Sequence, residues 1–95
     1  METLKQKRVK EVYDVALSEM MLCANNLDAI VSACVSGEMK ACRARRDIKA
    51  QITRYDFYVA KAIALARKYD LILSNYKVDE YNRCEDSRYN ALQNL

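Results

Sequence analysis

The chain is poor in the residues that interrupt helices. Its 95 residues include no proline and a single glycine, Gly37. Because proline and glycine mark most turns and loops, a domain rich in turns needs both. Their scarcity predicts that the chain consists mostly of long helices, and therefore that the fold is all-α.

Histidine and tryptophan are also absent. Histidine is the commonest general base and the usual partner of a nucleophilic serine or cysteine, so its absence excludes the ordinary catalytic triads. One glycine cannot build a phosphate-binding loop or a dinucleotide fingerprint. We therefore expect a protein that is not an enzyme and that needs no cofactor.

The four cysteines form no CxxC pair, and the chain has no histidine to complete a mixed zinc site. We expect Cys23, Cys34, Cys42 and Cys84 to be free, largely buried thiols that bind no metal. A disulfide between Cys34 and Cys42 is the alternative. These two cysteines flank Gly37, and a chain reversal there would bring them together.

Segments that would span a membrane or direct export are not evident. The longest uncharged stretches, residues 20–27 and 29–37, are shorter than the roughly 18–20 residues that a helix needs to cross a bilayer. The first residues are polar and basic, without the apolar stretch of a signal peptide. We expect a cytoplasmic protein with no membrane partner.

Two stripes of apolar residues repeat with the spacing of packed helices. In the first stripe, steps of four and three residues alternate, so its members share one helix face. They are Val9, Tyr13, Ala16, Met20, Cys23, Leu27, Ile30 and Cys34. A flanking apolar stripe widens this face enough to meet more than one helix. Gly37 then predicts the end of a helix over residues 3–35, within which Asn25 and Asn26 mark a weak point or a bend.

The second stripe predicts a helix over residues 47–74, after a bend at residues 36–47. Its members are Ile48, Ile52, Tyr55, Val59, Ala62, Ala66, Tyr69 and Leu73. Residues 57–66 are apolar on nearly every face, which is typical of a helix surrounded by others. We expect this segment to be the central element of the assembly. A third, shorter helix is predicted over residues 79–93, with Asp79 as its N-cap.

These patterns predict one helical domain over residues 1–95, a long antiparallel hairpin with a short C-terminal helix. Because the third helix is too short to cover the surplus apolar faces, we expect a second copy to cover them in a dimeric helical bundle. In general shape the predicted architecture resembles small helical-hairpin adaptors and inhibitors, including dimeric RNA-binding hairpin proteins.

Charge is divided unevenly along the chain. Residues 11–39 carry five acidic side chains and no basic one, whereas residues 40–68 carry nine basic side chains and two acidic ones. Five of these cations lie where the heptad pattern lapses between the two stripes: Lys40, Arg43, Arg45, Arg46 and Lys49. Packing does not explain them, so we predict that they bind a partner.

Two starting points for the second helix remain open. It begins at Glu38, or at Asp47 as its N-cap, in which case residues 36–46 form a basic loop. The cations bind an acidic protein surface, bind nucleic-acid phosphates along residues 40–54, or form only a solvated tip. Arginine, which contacts carboxylates and phosphates with two hydrogen bonds, outnumbers lysine among them.

The favoured prediction is a non-enzymatic protein–protein interaction module, that is, an adaptor, assembly factor or small inhibitor that acts through helix faces and this basic bend. The alternative is a small nucleic-acid-binding regulator. For that alternative, Tyr58 and Tyr76 are the best candidates to stack on bases.

Overall fold

A computed structural model describes residues 3–95 of the chain. It contains three α-helices and, within those residues, no strand: α1 (Leu4–Val35), α2 (Ala41–Lys68) and α3 (Asn75–Leu92). α1 and α2 form an antiparallel hairpin, and α3 packs mainly against α1. The predicted all-α hairpin fold is confirmed. None of the helices in this part of the chain is long and apolar enough to cross a membrane.

Both ends of α1 have recognisable caps. The Thr3 side chain accepts a hydrogen bond from the backbone N–H of Gln6 at 3.1 Å, and the Gln6 side chain accepts one from the backbone N–H of Thr3 at 2.8 Å. At the other end, Gly37 adopts a left-handed φ of 83°. There the backbone N–H of Glu38 donates to the carbonyl oxygen of Ala33 at 2.9 Å. The predicted end of the first helix is confirmed.

α1 is the central element of the fold, because it contacts both other helices while α2 and α3 touch each other little. Six of the eight residues in its apolar stripe are buried, and Ile30 and Cys34 are half-buried. Leu17 and Ala24 of the flanking stripe are also buried. The expectation that this wide face meets more than one helix is therefore confirmed.

Residues 57–66 lie on α2 at the periphery of one copy, in which α1 is central. Their place at the centre of a dimeric assembly stays a prediction. Phe57 is 64 % exposed, and Ala60 and Ala64 are also exposed. α2 is buried along the side that faces α1 and α3, and its outer side is exposed. Alanine is the best helix former, so alanine on an outer face reflects helix propensity rather than burial.

Polar side chains of α1 attach it to α3. The Asn25 side-chain oxygen accepts a hydrogen bond from Arg83 at 3.3 Å, and the Asp28 carboxylate accepts one from the Ser87 hydroxyl at 3.0 Å. α1 continues without interruption through Asn25 and Asn26. The predicted weak point is instead a place where polar side chains reach the neighbouring helices.

α2 begins at Ala41, with Lys40 as its N-cap. The predicted starts at Glu38 and at Asp47 are therefore both wrong, and the bend is limited to residues 36–40. The basic segment is helical rather than a loop.

Packing explains the early start of α2. Ala44 and Ile48 are 1 % and 0 % exposed, and their spacing of four residues places them on one face of the helix. Alanine and arginine, which are frequent here, favour helix strongly. Asp47 does not cap the helix, because it lies inside α2, where its carboxylate faces Arg43 one turn earlier.

α2 ends at Lys68 rather than at residue 74. Asp70 adopts a left-handed φ of 49°, and the backbone N–H of Leu71 donates to the carbonyl oxygen of Ala66 at 3.0 Å. Aspartate tolerates this conformation better than most residues do, so the helix ends here without a glycine. Tyr69 and Leu73, the last two residues of the second stripe, are half-buried but lie beyond the end of the helix.

α3 begins at Asn75, four residues before the predicted start, because Ser74 rather than Asp79 is its N-cap. The Ser74 hydroxyl accepts a hydrogen bond from the backbone N–H of Lys77 at 3.3 Å. The residues that α3 buries are Cys84, Ser87 and Ala91.

Candidate partner-binding site at the start of α2

The five cations that the sequence singles out are all exposed at the start of α2. Lys40 is the N-cap, and the other four lie on the first three turns. Ala44 and Ile48 bury the opposite side of the same turns, so the backbone that carries the cations is held in place. We call this set the basic cluster: Lys40, Arg43, Arg45, Arg46 and Lys49.

One carboxylate lies within the basic cluster. The Asp47 oxygens are 3.7 Å from Nε of Arg43 and 3.5 Å from Nε of Arg46, both longer than a good hydrogen bond. The two arginine side chains remain 66 % and 75 % exposed. Exposed ion pairs of this kind contribute little to the stability of a fold. Asp47 therefore orients two arginines without neutralising the cluster, whose other cations form no ion pair within residues 3–95.

The backbone adds to the positive potential of the basic cluster. The first N–H groups of a helix have no carbonyl partner inside it, and the helix dipole gives them a partial positive charge. At the start of α2 no side chain caps these groups, and the first turn contains no acidic residue. The arrangement favours an anionic group, such as a carboxylate or a phosphate, on the partner.

The structure does not place the candidate stacking residues beside the basic cluster. Tyr58 is half-buried, with its ring edge-on to Phe57 at 5.2 Å between centroids. Tyr76 is exposed, but it begins α3 at the opposite end of a molecule 54 Å long. Within residues 40–54, Arg54 is engaged by the Glu19 carboxylate at 3.0 Å. Neither candidate stacking residue therefore lies beside the basic cluster.

The four cysteines differ in burial: Cys23 and Cys84 are buried, Cys34 is half-buried and Cys42 is exposed. All four are free, so the alternative Cys34–Cys42 disulfide is not formed. Burial raises the pKa of Cys23 and of Cys84 above the usual 9.0, so both thiols stay protonated at neutral pH. Within residues 3–95, no group of acidic or cysteine side chains is placed to hold a metal ion. The exposed thiol, Cys42, lies within the basic cluster.

A scan against protein-family models and searches of curated proteins and of solved structures found no match to this chain.

The structure also contains a groove that the sequence analysis does not predict. It is the strip of surface along the contact line of α1 and α2, on a different face of α1 from the one that binds α3, and the Glu19–Arg54 ion pair lies between the cavities at its two ends. At one end it widens to a cavity of about 610 Å³, lined by apolar residues such as Val12 and Leu65 together with Lys5 and Arg8. At the other end residues of both helices line a cavity of about 270 Å³. We call it the hairpin groove.

A signal for the hairpin groove is present in the sequence. The α1 positions that border it also alternate in steps of four and three, and they are Arg8, Val12, Val15, Glu19, Leu22 and Asn26. Three polar residues interrupt the apolar ones, so a search for apolar periodicity alone does not find this series.

Proposed function

We propose that the protein is a non-enzymatic protein–protein interaction module, an adaptor, assembly factor or small inhibitor, that binds an acidic surface of its partner through the basic cluster. The observation that carries this proposal is the presence of five exposed cations on one short helical segment with a single, poorly aligned carboxylate. Clustered charge of one sign accelerates encounter with a surface of the opposite sign and fixes the orientation of the complex.

A nucleic-acid-binding regulator is the second candidate. The arginines and the uncapped N–H groups of α2 suit phosphate as well as carboxylate. The absence of an aromatic side chain from the cluster makes this candidate weaker, because base stacking is a main source of affinity for single strands.

We also propose that the protein associates with itself through the outer face of α2. This face presents Phe57, Ala60 and Ala64 to solvent. Covering it in a dimer would remove the large exposed aromatic ring from water.

Charge reversal tests the role of the basic cluster. The double variant Arg45→Glu, Arg46→Glu should fold normally, because exposed substitutions rarely change stability by more than about 0.5 kcal/mol per site. Its matched control is Lys7→Glu, Arg67→Glu, which makes the same charge change at exposed sites outside the cluster. Each protein serves as bait in an extract of the native cells, with and without nuclease.

We expect the wild type and the control to capture the same proteins after nuclease treatment, and the double variant to lose them. Capture that depends on intact nucleic acid would favour the second candidate. In that case the logarithm of affinity should fall by about 0.7–0.9 per neutralised phosphate for each tenfold rise in salt. Equal capture by both variants would contradict the proposed role of the cluster.

A further inference from the structure

We infer that the hairpin groove docks an amphipathic helix of another protein, one whose apolar stripe is flanked by acidic side chains. This inference rests on the proposed protein-binding function. It uses a different surface from the basic cluster, so either proposal can fail alone.

The groove presents apolar surface that the fold leaves uncovered. On α1, Val12, Val15 and Leu22 are 41 %, 61 % and 50 % exposed, and their spacing of three and seven residues aligns them along one face. Across the groove, Tyr58 and Leu65 of α2 are only half-buried. Grooves of this kind receive helices whose apolar residues recur at i, i+3, i+4 and i+7.

The length of this surface suits a helix of moderate size. From Leu4, which is 65 % exposed, to Leu22 the apolar series on α1 covers 18 residue steps, or about 27 Å. α3 itself has 18 residues and packs along another face of α1. An incoming helix of similar length would complete a four-helix arrangement around the hairpin.

Cations flank the apolar surface on both sides. Lys5 and Arg8 line the groove on α1, and Lys61 and Lys68 are exposed on the side of α2 that borders it. None of the four forms an ion pair with a described residue. Nζ of Lys5 and Nζ of Lys68 instead lie 5.7 Å and 5.3 Å from the ring centroid of Tyr69. These ammonium groups are available to acidic side chains.

The acidic residues nearby do not cancel this charge. Glu19 and Arg54 bridge the groove at 3.0 Å and balance each other. Of the other two carboxylates on this part of α1, Asp14 is paired with Lys77 of α3 at 2.6 Å and Glu11 is exposed. The open end of the groove therefore keeps an excess of positive charge, which complements an acidic ligand.

Other occupants match these features less well. Two copies docked groove to groove would oppose either their flanking cations or a basic cluster, because both ends of the hairpin are cationic. A bilayer is flat, whereas the groove is concave and crossed by the Glu19–Arg54 pair. An acidic amphipathic helix would contact the apolar floor of the groove with its apolar side chains and the flanking cations with its carboxylates.

The probe for this inference is a labelled 18-residue peptide with leucines at i, i+3, i+4 and i+7 and glutamates at the flanking positions. Fluorescence anisotropy measures its binding to the full chain. We expect the acidic peptide to bind at least tenfold more tightly than the same peptide with lysines in place of the glutamates. Val15→Asp should weaken binding at least tenfold, as should Lys61→Glu with Lys68→Glu.

Two control variants limit the interpretation. Tyr89→Asp, at an exposed position on α3 that is 67 % accessible, should bind the acidic peptide as the wild type does. The basic-cluster variant Arg45→Glu, Arg46→Glu should also bind it. If that variant loses the peptide while Val15→Asp keeps it, the basic cluster is the peptide site and the inference is wrong, although the proposed function stands.

Other results would also overturn the inference. These are equal affinity for the two peptides, no binding of either peptide, or equal loss in Val15→Asp and Tyr89→Asp. A dimer in sedimentation that Val15→Asp dissociates would assign the groove to a second copy. Binding to phosphatidylserine vesicles that Val15→Asp abolishes would assign it to a membrane surface. Far-UV circular dichroism of each variant shows that it remains folded.

Discussion

Tyr55 offers a stability test in which the sign of the effect is informative. Its side chain is fully buried, and its hydroxyl forms no hydrogen bond of good geometry with a described residue, although the Glu85 carboxylate lies near it. An unsatisfied buried polar group costs about 1–3 kcal/mol. Tyr55→Phe removes the oxygen and keeps the ring, so part of that cost is recovered and a small void remains. We expect the free energy of unfolding to rise by about 1 kcal/mol.

The Glu85 carboxylate is the group whose hydrogen bond would reverse the sign of this effect. Burial is the main reason why the pKa of Tyr55 lies far above its usual value, and the charge of Glu85 is the next. If the Tyr55 hydroxyl donates a hydrogen bond to that carboxylate in solution, Tyr55→Phe removes a favourable interaction. The free energy of unfolding would then fall by about 1.5–3 kcal/mol, as expected for a hydrogen bond to a charged group.

Urea denaturation followed by far-UV circular dichroism measures the difference in the free energy of unfolding between Tyr55→Phe and the wild type. For a domain of this size, 1 kcal/mol corresponds to a change of roughly 4–8 °C in the thermal midpoint. Tyr13→Phe is the matched control, because Tyr13 is 3 % exposed and its hydroxyl is not among the unsatisfied groups. A decrease in stability for Tyr55→Phe would refute the reasoning, and a similar increase in both variants would show that the effect is not specific to Tyr55.

Three further predictions concern the backbone, the buried titratable groups and self-association. Gly37→Ala places a side chain at a φ of 83° and should lower the free energy of unfolding by about 1 kcal/mol. Asp70→Gly, at a φ of 49°, should not lower it. Thermal unfolding of the two variants measures the difference. Burial raises the pKa values of the buried thiols and phenols in the folded state, so the unfolded chain releases these protons first as the pH rises. The free energy of unfolding should therefore fall above about pH 9. A stability that stays constant from neutral to alkaline pH would contradict this. Light scattering after size exclusion should show a dimer at micromolar concentration that Phe57→Asp dissociates, and a monomeric wild type would count against self-association.

Periodicity alone predicted the inner surfaces of the hairpin. The α1 stripe from Val9 to Cys34 is buried or half-buried throughout, because alternating steps of four and three residues keep side chains on one face of a helix. Gly37 predicted the end of the first helix correctly, because glycine adopts a positive φ with no steric cost.

The helix ends that lack glycine could not be placed in the same way. Asp70 takes the left-handed conformation, which aspartate adopts only occasionally, and the apolar Leu71 and Leu73 continue the helical spacing beyond the true end. Ser74 and Asp79 are both good N-caps by residue type. Only the hydrogen bond from the Lys77 N–H distinguishes Ser74 in the folded chain.

The relative positions of the helices depend on long-range contacts. Apolar residues on every face of 57–66 suggested a central helix, but within one copy α1 takes that place. The pairs Asn25–Arg83 and Asp28–Ser87 hold α3 against α1, and the Arg88–Asp56 ion pair also joins α3 to α2. The charge pattern located the basic cluster but left open whether it is helical or a loop, because its helical conformation depends on burial of Ala44 and Ile48. The hairpin groove was missed because Arg8, Glu19 and Asn26 interrupt its apolar positions.

Cys42 provides the most direct test of the claim that the basic cluster binds a protein. Its thiol is exposed within the cluster, and Cys34→Ser removes the half-buried thiol that is the nearest competitor for labelling. A thiol-reactive photocrosslinker at Cys42 is irradiated in nuclease-treated extract of the native cells. The same crosslinker at Asp86→Cys, in a Cys34→Ser, Cys42→Ser background, is the control on the exposed side of α3.

We predict a protein adduct from Cys42 that the Asp86→Cys control lacks and that high salt abolishes, because screening weakens contacts between exposed charges. Absence of a protein adduct at Cys42, or the same adducts from both positions, would contradict the claim that the basic cluster is the binding surface.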